Sequence, residues 1–328
     1  MGWRIKHIFN FLKNEPWSHG FCHFGFHGRT GAQYMLHYNE HWLGLLTKDD
    51  RFLWTAGAVD NRLSRCHIPF DVKYPHYITE LPDDSLLISS NGTNKIYRLW
   101  PAKKSAELFI NTELAGLKDI GNCEYDQHGR LWVHEITGCR VWCFNLSGEN
   151  IDVLGNGQSG FQKETVPFER AKFNWIYDLR LGPDNNIYVL DSKNFCVRRI
   201  NIQERTVSVV VGTGKPGYSG DGGPALKATL GSDPSEHFDG PYSLSIDEEG
   251  NIFIGDTYNH VVRMVDSSTG RISTIAGKYK INRGVRIDSH ETDPLNLNLP
   301  KICSMDYYDR RLFIPEWNDD LVILEKKQ

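Results

Sequence analysis

No stretch of this 328-residue chain approaches the roughly 18 consecutive apolar residues that a membrane-spanning helix needs. A surplus of positive charge is missing too. Lys and Arg number 37 against 41 Asp and Glu, a formal net charge of −4, so nothing in bulk draws the chain to nucleic acid or an anionic membrane. Neither is expected as a partner. The seven cysteines (Cys22, Cys66, Cys123, Cys139, Cys143, Cys196 and Cys303) are odd in number and scattered, and no CxxC occurs. Cys139 and Cys143 fall on one side of a strand, too far apart along it for an easy disulfide. They read as reduced, buried thiols. Residues 1–10 lack a long apolar core and a small-residue cleavage site. Together these features predict a cytoplasmic protein. No HExxH and no Ser/His/Asp elbow is present, which removes two common hydrolase classes.

What is abundant is strand-forming sequence. Aromatics make up 12% of the chain, and a four-residue apolar run recurs as Ser85–Ile88, Arg130–Val133, Asn186–Val189, Asn251–Ile254 and Arg311–Ile314, with a weaker copy at Ala32–Leu36. A further strand follows each at a fixed offset: His41–Leu46, Lys95–Leu99, Cys139–Cys143, Phe195–Ile200, His260–Met264 and Asp320–Leu324. The clearest copy, 240–277, holds four short strands with turn residues between them. Repeats of roughly 45–65 residues with four strands each are propeller blades, because each small sheet must bury its faces on its neighbours. The predicted fold is all-β: one domain over 1–328, a six-bladed β-propeller with four-stranded antiparallel blades near 22–57, 74–111, 119–157, 174–214, 240–277 and 300–328. The last copy stops after its third strand. Residues 3–12 are expected to supply the missing outer strand and so close the ring; the other reading of that segment is a short helix.

The stretch Gly212–Leu230, with Gly-Tyr-Ser-Gly-Asp-Gly-Gly-Pro at its centre, resembles the inter-blade linker of bacterial NHL-repeat proteins, and Gly255–Asp266 resembles the signature core of that repeat. An Asp-x-x-Asn pair recurs as Asp191/Asn194 and Asp256/Asn259; the other copies depart as Glu135/Gly138, Asn91/Asn94 and Glu316/Asp319. The resemblance covers roughly residues 22–328 and implies a fold rather than an activity. The Gly212–Gly223 loop lacks the Lys-Ser/Thr ending of a P-loop and reads as a tight connection. The Asp-x-x-Asn pairs read as loop staples.

In a propeller the inner strands converge on one funnel, the default ligand site. Counting eight residues back from the turn after each inner strand gives His23, His76, Gly121, Tyr177, Tyr242 and Ile302. One residue further in are Phe24, Tyr77, Asn122, Asp178, Ser243 and Cys303. Imidazole and carboxylate suit a divalent metal in an open site, or acid–base work. His23, His76, Tyr177, Asp178 and Tyr242 are therefore the candidate catalytic groups. Tyr77, Asn122, Trp175 and Ser243 are candidates for binding substrate, and His23 and His76 for holding a divalent metal ion (Zn, Ca or Mg). The Pro75-His76 step is similar to the Pro-His positions that hold zinc in the propeller lyase cleaving peptidyl-hydroxyglycine; that lyase needs three such histidines, and only His23 and His76 match the count. The expected function is a metal-assisted lyase or hydrolase, working as a monomer on a small polar or oligomeric substrate in the central funnel. The alternative is a non-catalytic propeller that binds a ligand or a protein.

Overall fold

A computed structural model describes residues 2–10, 21–27, 32–46, 52–58, 66–232, 240–279, 287–288, 290–316 and 320–327, with only the backbone at residues 9, 10, 21–27, 46 and 52. Six antiparallel sheets of four strands form the blades. Two carry a short fifth strand at the outer edge: His67–Pro69, parallel, in blade 1, and Val166–Pro167 in blade 4. The inner strands are Phe21–His27, Pro75–Glu80, Ile120–Tyr125, Ile176–Leu181, Ser243–Ile246 and Asp306–Tyr308. Each touches the next, and the sixth touches the first, so the ring is closed.

Closure uses the N-terminal segment. Trp3–Asn10 pairs antiparallel with Asp320–Lys326 as the outer strand of blade 6, from Trp3 opposite Lys326 to Asn10 opposite Asp320. A strand forms here rather than a helix because the side chains alternate. Trp3, Ile5 and Ile8 pack into the core of blade 6, with Trp3 edge-on to Phe253 at 5.6 Å. Arg4 and Lys6 face the other way, onto Glu325. A bulge between Ile5 and His7 keeps Ile8 on the inner side. Residues 11 and 12 of the predicted segment lie outside the described residues.

The core lies between blades. Each of five apolar clusters draws its side chains from two consecutive blades, as in the one joining Trp132, Val141 and Leu154 to Phe168, Ile176 and Val189. Burial of this kind, at about 25 cal/mol per Å² of apolar surface, is what commits the sheets to stack in a ring. The turn after the second strand ends on a left-handed residue at the same place in five blades: His41, Asn94, Cys139, Phe195 and His260, with φ of 62°, 47°, 58°, 49° and 60°. That shared turn marks blade 1 as a true copy of the repeat, although its sequence is the least regular.

The Asp-x-x-Asn pairs are loop staples. Asp191 accepts from the Asn174 amide at 2.7 Å and from Asn194 Nδ2 at 2.8 Å, and it pairs with Arg198 at 2.8 Å. Asp256 accepts from the Gly231 amide and from Asn259 Nδ2. The departures have a steric reason. Glu135, one carbon longer than Asp, accepts from the Lys118 amide and Trp142 Nε1. A Cβ at Gly138 would stand 2.5 Å from the Glu135 carboxyl carbon, so the longer acid occupies the place of the missing Asn. In blade 6, Glu316 accepts from the Lys301 amide at 2.7 Å; Asp319 lies outside the described residues. The glycine-rich linker is held the same way: Arg263 bonds Asp221 at 2.7 Å and the carbonyls of Ser219 and Thr229.

Candidate functional site at the channel mouth

His76 and Tyr177 are each the extra residue of a bulge at the start of an inner strand, between paired residues Pro75 and Tyr77 and between Ile176 and Asp178. A bulged residue leaves the ladder, and its side chain is re-aimed. Here the side chains turn to the mouth of the ring. Tyr242 precedes its strand and donates its amide to the Gly255 carbonyl at 3.1 Å. The rings form a row: His76 to Tyr177, 6.3 Å between centroids; Tyr177 to Tyr242, stacked at 4.4 Å; Tyr242 to Tyr258, edge-on at 5.6 Å, with their hydroxyls 2.9 Å apart. The row runs from blade 2 to blade 5 and passes blade 3 at Gly121. That position must be glycine, because a Cβ would meet the His134 ring at 2.1 Å.

Below the rings is a buried polar relay. His76 Nδ1 lies 3.0 Å from Asn122 Oδ1, and Asn122 Nδ2 donates to Asp178 Oδ1. Asp178 also accepts from the amides of Leu179 and Leu244, both at 2.8 Å. With backbone amides donating to both of its oxygens, Asp178 accepts from the Asn122 side-chain amide and orients it, and the amide oxygen then fixes the hydrogen of His76 on Nδ1. Burial pushes the His76 pKa below the ordinary histidine value, against a smaller upward effect of the Asn122 bond. The imidazole is therefore neutral at pH 7, with its lone pair on Nε2. His134 Nε2 accepts from the Asn122 amide at 2.8 Å; burial, and then the nearby His76, push His134 down to about 3.

Deeper in, Arg180 ties five blades together. It donates to the carbonyls of Leu244 (2.7 Å) and Met305 (3.2 Å) and to the Tyr77 hydroxyl, lies over the Tyr77 ring at 4.5 Å, and faces Asp178 at 3.3 Å and Glu124 at 3.7 Å. Tyr77 in turn donates to Glu124 at 3.4 Å. Burial drives Asp178 and Glu124 well above the ordinary carboxylate range and lowers Arg180 to about 10. Tyr242 is raised far above an ordinary phenol, first by burial and then by its bond to Tyr258, so it stays protonated.

The structure brings together His76, Tyr77, Asn122, Tyr177, Asp178 and Tyr242. Trp175 stands at the rim in a left-handed conformation (φ 61°), with Lys193 Nζ 3.8 Å above its ring. Ser243 is elsewhere. Its buried Oγ faces Gly255, where a Cβ would come within 2.2 Å, and has no hydrogen-bond partner among the described residues. The register places His23 opposite Leu36, in the row of Tyr77, Asp178 and Ser243 rather than that of His76: counted from the shared turn, the bulged residue of blade 1 is Cys22, between Phe21 and His23, and it takes the place of His76 and Tyr177. The side chain of His23 lies outside the described residues. In blade 6 the count shifts by one: Cys303, whose amide meets the Pro315 carbonyl as Tyr242 meets Gly255, belongs to the mouth row instead of Ile302. Glu124, His134, Arg180 and Tyr258 escaped the sequence count. Glu124 and Arg180 lie two residues beyond Asn122 and Asp178, on the same side of their strands, so period-2 spacing alone would have found them.

Among the described residues no three His, Cys, Asp or Glu side chains form a group that could hold a metal ion. Asn122 occupies the Nδ1 side of His76, and amides and Arg180 occupy the oxygens of Asp178. Of the two metal ligands expected from the sequence, His76 keeps only Nε2 for an ion, and the side chain of His23 lies outside the described residues.

Fold and site together define a six-bladed propeller with buried titratable and aromatic side chains gathered where its inner strands begin. No family model matches the chain. A 92-residue stretch is 34% identical to Protein SUPPRESSOR OF QUENCHING 1, chloroplastic, of Arabidopsis thaliana, which is 28% of this chain and only 8% of that protein's length. Among solved structures, an auxiliary nutrient binding protein from Bacteroides ovatus superposes with a TM-score of 0.67 at 12% identity, over 100% of this chain and 77% of that one. Virginiamycin B lyase from Staphylococcus aureus superposes with a TM-score of 0.55 at 11% identity, over 99% and 100%. At such identities the likeness is one of fold.

Proposed function

We propose that this chain is an NHL-type propeller that acts as a lyase or hydrolase, by acid–base chemistry, on a small polar substrate held at the channel mouth. The NHL assignment is supported by the two Asp-x-x-Asn staples and the linker they hold. The enzymatic reading is carried by one observation: the His76–Asn122–Asp178 relay, which fixes a neutral imidazole beneath a row of tyrosines. A histidine held in one tautomer with Nε2 as acceptor is suited to general-base work. In this reading His76 Nε2 removes a proton from the substrate or from water and returns it to the leaving group, to which the protonated Tyr242 hydroxyl donates a hydrogen bond. Asn122 and Asp178 are positioning residues. The fold likeness to a lyase agrees with this reading, and the likeness to a nutrient binding protein marks its rival, a propeller that only binds.

The test is conversion of a panel of cyclic depsipeptides, lactones and glycosides, followed by mass spectrometry. The wild type should convert at least one of them, and His76→Gln should lower that rate by about 10²–10⁴-fold. Should the wild type bind a panel member in a thermal-shift assay yet convert none, the binding reading takes its place.

A further inference from the structure

The chain contains two Asn-Gly steps, Asn91-Gly92 and Asn156-Gly157, and the fold treats them in opposite ways. Asn91 opens the blade 2 counterpart of the staples. Its Nδ2 donates to Asp119 Oδ1 and to the Ile120 carbonyl, both at 2.9 Å, and the Gly92 amide donates to the Lys73 carbonyl at 3.0 Å. Asn156 lies just past the outer strand of blade 3, in the loop that leads to blade 4, and Asn156, Gly157 and Gln158 are all exposed. The chain entering this step is pinned: the Gly155 amide donates to the Phe168 carbonyl at 3.0 Å and the Asn156 amide to the Ala171 carbonyl at 2.9 Å. The Gly157 amide and Asn156 Nδ2, by contrast, have no hydrogen-bond partner among the described residues.

An asparagine side chain can be attacked by the backbone nitrogen that follows it, and glycine offers that nitrogen with no Cβ in the way. Two neighbours favour the step at Asn156. The Gln158 amide donates to Asn156 Oδ1 at 2.9 Å, so a donor already stands at the oxygen on which negative charge develops. Because this bond spans residue 157, it also holds the side-chain carbonyl beside the Gly157 peptide. The second neighbour is Arg140, whose guanidinium packs on Gly157; a Cβ there would stand 2.6 Å from its Cζ. Arg140 has no carboxylate partner among the described residues. A cation this close favours the ionised form of a nitrogen that must give up its proton. At Asn91 the nearest charge is instead the Asp119 carboxylate, which opposes it.

We infer that Asn156-Gly157 is a site of self-modification, at which the folded chain converts Asn156 to aspartate and isoaspartate with the assistance of Arg140. The Gly157 nitrogen bonds to Asn156 Cγ, and the Cγ–Nδ2 bond breaks. Ammonia leaves with the Gly157 proton, and a cyclic imide remains. Water then opens the ring. Addition at Cγ leaves aspartate; addition at the Asn156 backbone carbonyl leaves isoaspartate, in which the chain runs through the side-chain carbon. In either product a carboxylate replaces an amide close to Arg140, a cation with no acid of its own. The isoaspartyl product also lengthens the backbone by one carbon next to the amide pinned on Ala171, in the loop that leads to Asn174 and the blade 4 staple.

The experiment is incubation of the folded protein at neutral and mildly alkaline pH. Peptide mapping by mass spectrometry reads the exchange of amide for acid, and labelling by an isoaspartate carboxyl methyltransferase reads the isoaspartyl product. In the folded protein Asn156 should convert, faster as the pH rises, while Asn91 stays intact. In urea both should convert, because only the fold spares Asn91. Arg140→Gln should slow conversion of Asn156 several-fold in the folded protein and leave the rate in urea unchanged; Arg140→Lys should keep part of the effect. Asn91 serves as the control in each variant, since its conversion would report loss of the fold. If Asn156 stays intact in the folded protein over a period in which the urea-unfolded chain converts it, the inference is overturned. Equal rates for wild type and folded Arg140→Gln overturn it as well. Turnover does not enter the readout, so the outcome is independent of the general-base reading.

Discussion

Two kinds of buried Asp–Asn pair occupy this ring, and they differ in what the asparagine reaches. In the staples, Asn194 and Asn259 spend their amide hydrogens on the neighbouring acid and on backbone carbonyls: Gly160 for the first, Gly217 and Gly231 for the second. Everything they hold is loop. In the relay, Asn122 also donates to its acid, Asp178, but its oxygen faces a side chain, His76. The pairs also lie differently in sequence. Each staple is closed within three residues of one blade, whereas the relay crosses blades 2, 3 and 4. Local pairs fix the shape of a turn. A pair assembled across blades exists only in the closed ring, and it is aimed at the mouth.

The largest effect expected from breaking this comparison is on stability. Asp191→Ala removes the partner of Arg198, whose side chain is fully buried, and leaves a guanidinium uncompensated. The cost should be about 3–5 kcal/mol, read as a drop in the denaturant midpoint. Asp178→Asn leaves Arg180 its two carbonyls, Tyr77 and Glu124. It should cost only about 1–2 kcal/mol while slowing turnover far more than Asp191→Ala does. Equal stability losses with no separate effect on turnover would make the relay one more staple.

Next in size is Gly121→Ala. Its Cβ meets the imidazole of His134, which is itself held by the Asn122 amide and has no room to swing. About 2–3 kcal/mol should be lost, and a crystal structure should show Asn122 displaced. A variant as stable as wild type would mean that His134 moves freely, and the ordering of the relay from below would lose its basis.

A smaller effect should repair itself. Glu135→Asp shortens the acid of blade 3, and Gly138→Asn places a side chain where the Glu135 carboxyl stands. Each alone should destabilise by about 1–2 kcal/mol, and the pair together should recover most of the loss, since together they restore the Asp-x-x-Asn staple. Additive losses would show that glycine at 138 serves a purpose other than making room for Glu135.

Why the ring was legible in the sequence and the site only half so follows from the range of the contacts. The apolar runs, the staples and the turns are made within a few residues, so their residue types recur wherever the local structure does. Closure by Trp3–Asn10 was legible because the last copy lacked a strand and the first segment had no repeat of its own. The mouth is built across blades, and its rows depend on where each strand bulges. Blades 2, 3 and 4 bulge in the same region, so counting brought His76, Gly121 and Tyr177 together; blade 1 bulges at Cys22 and blade 6 pairs one step off, so the count slipped there. His134 left no trace of its own, being a second-strand residue, and the only sign of it was a glycine in a row of rings.

The smallest effect is the pH dependence of stability, and it separates the staples by their charge partners. Asp191 and Asp256 are both raised to about 6, chiefly by burial, which outweighs Arg198 and the two asparagines, and Glu316 is raised to about 8 by burial with only the Lys301 amide opposing it. A folded-state pKa above the unfolded one means that the folded protein holds the proton more tightly. The stability that each contributes is therefore complete below about pH 4 and is lost as pH rises through 6 for the two aspartates and through 8 for Glu316. Asp126, Asp184 and Asp221 are shifted the other way, and their contribution is lost only in acid, below the ordinary aspartate value. Between pH 5 and 9 Asp191, Asp256 and Glu316, with the raised Asp178 and Glu124, lose stability, while the lowered His76 and His134 gain it as pH rises to the ordinary histidine value, so the melting temperature should fall by a few degrees, most clearly above pH 7. Glu316→Gln should flatten the upper part of the fall and leave the lower part, which belongs to Asp191 and Asp256. A melting temperature that is level or rising from pH 5 to 9 would mean that Arg198 and the staple amides outweigh burial, and that these acids are ionised throughout.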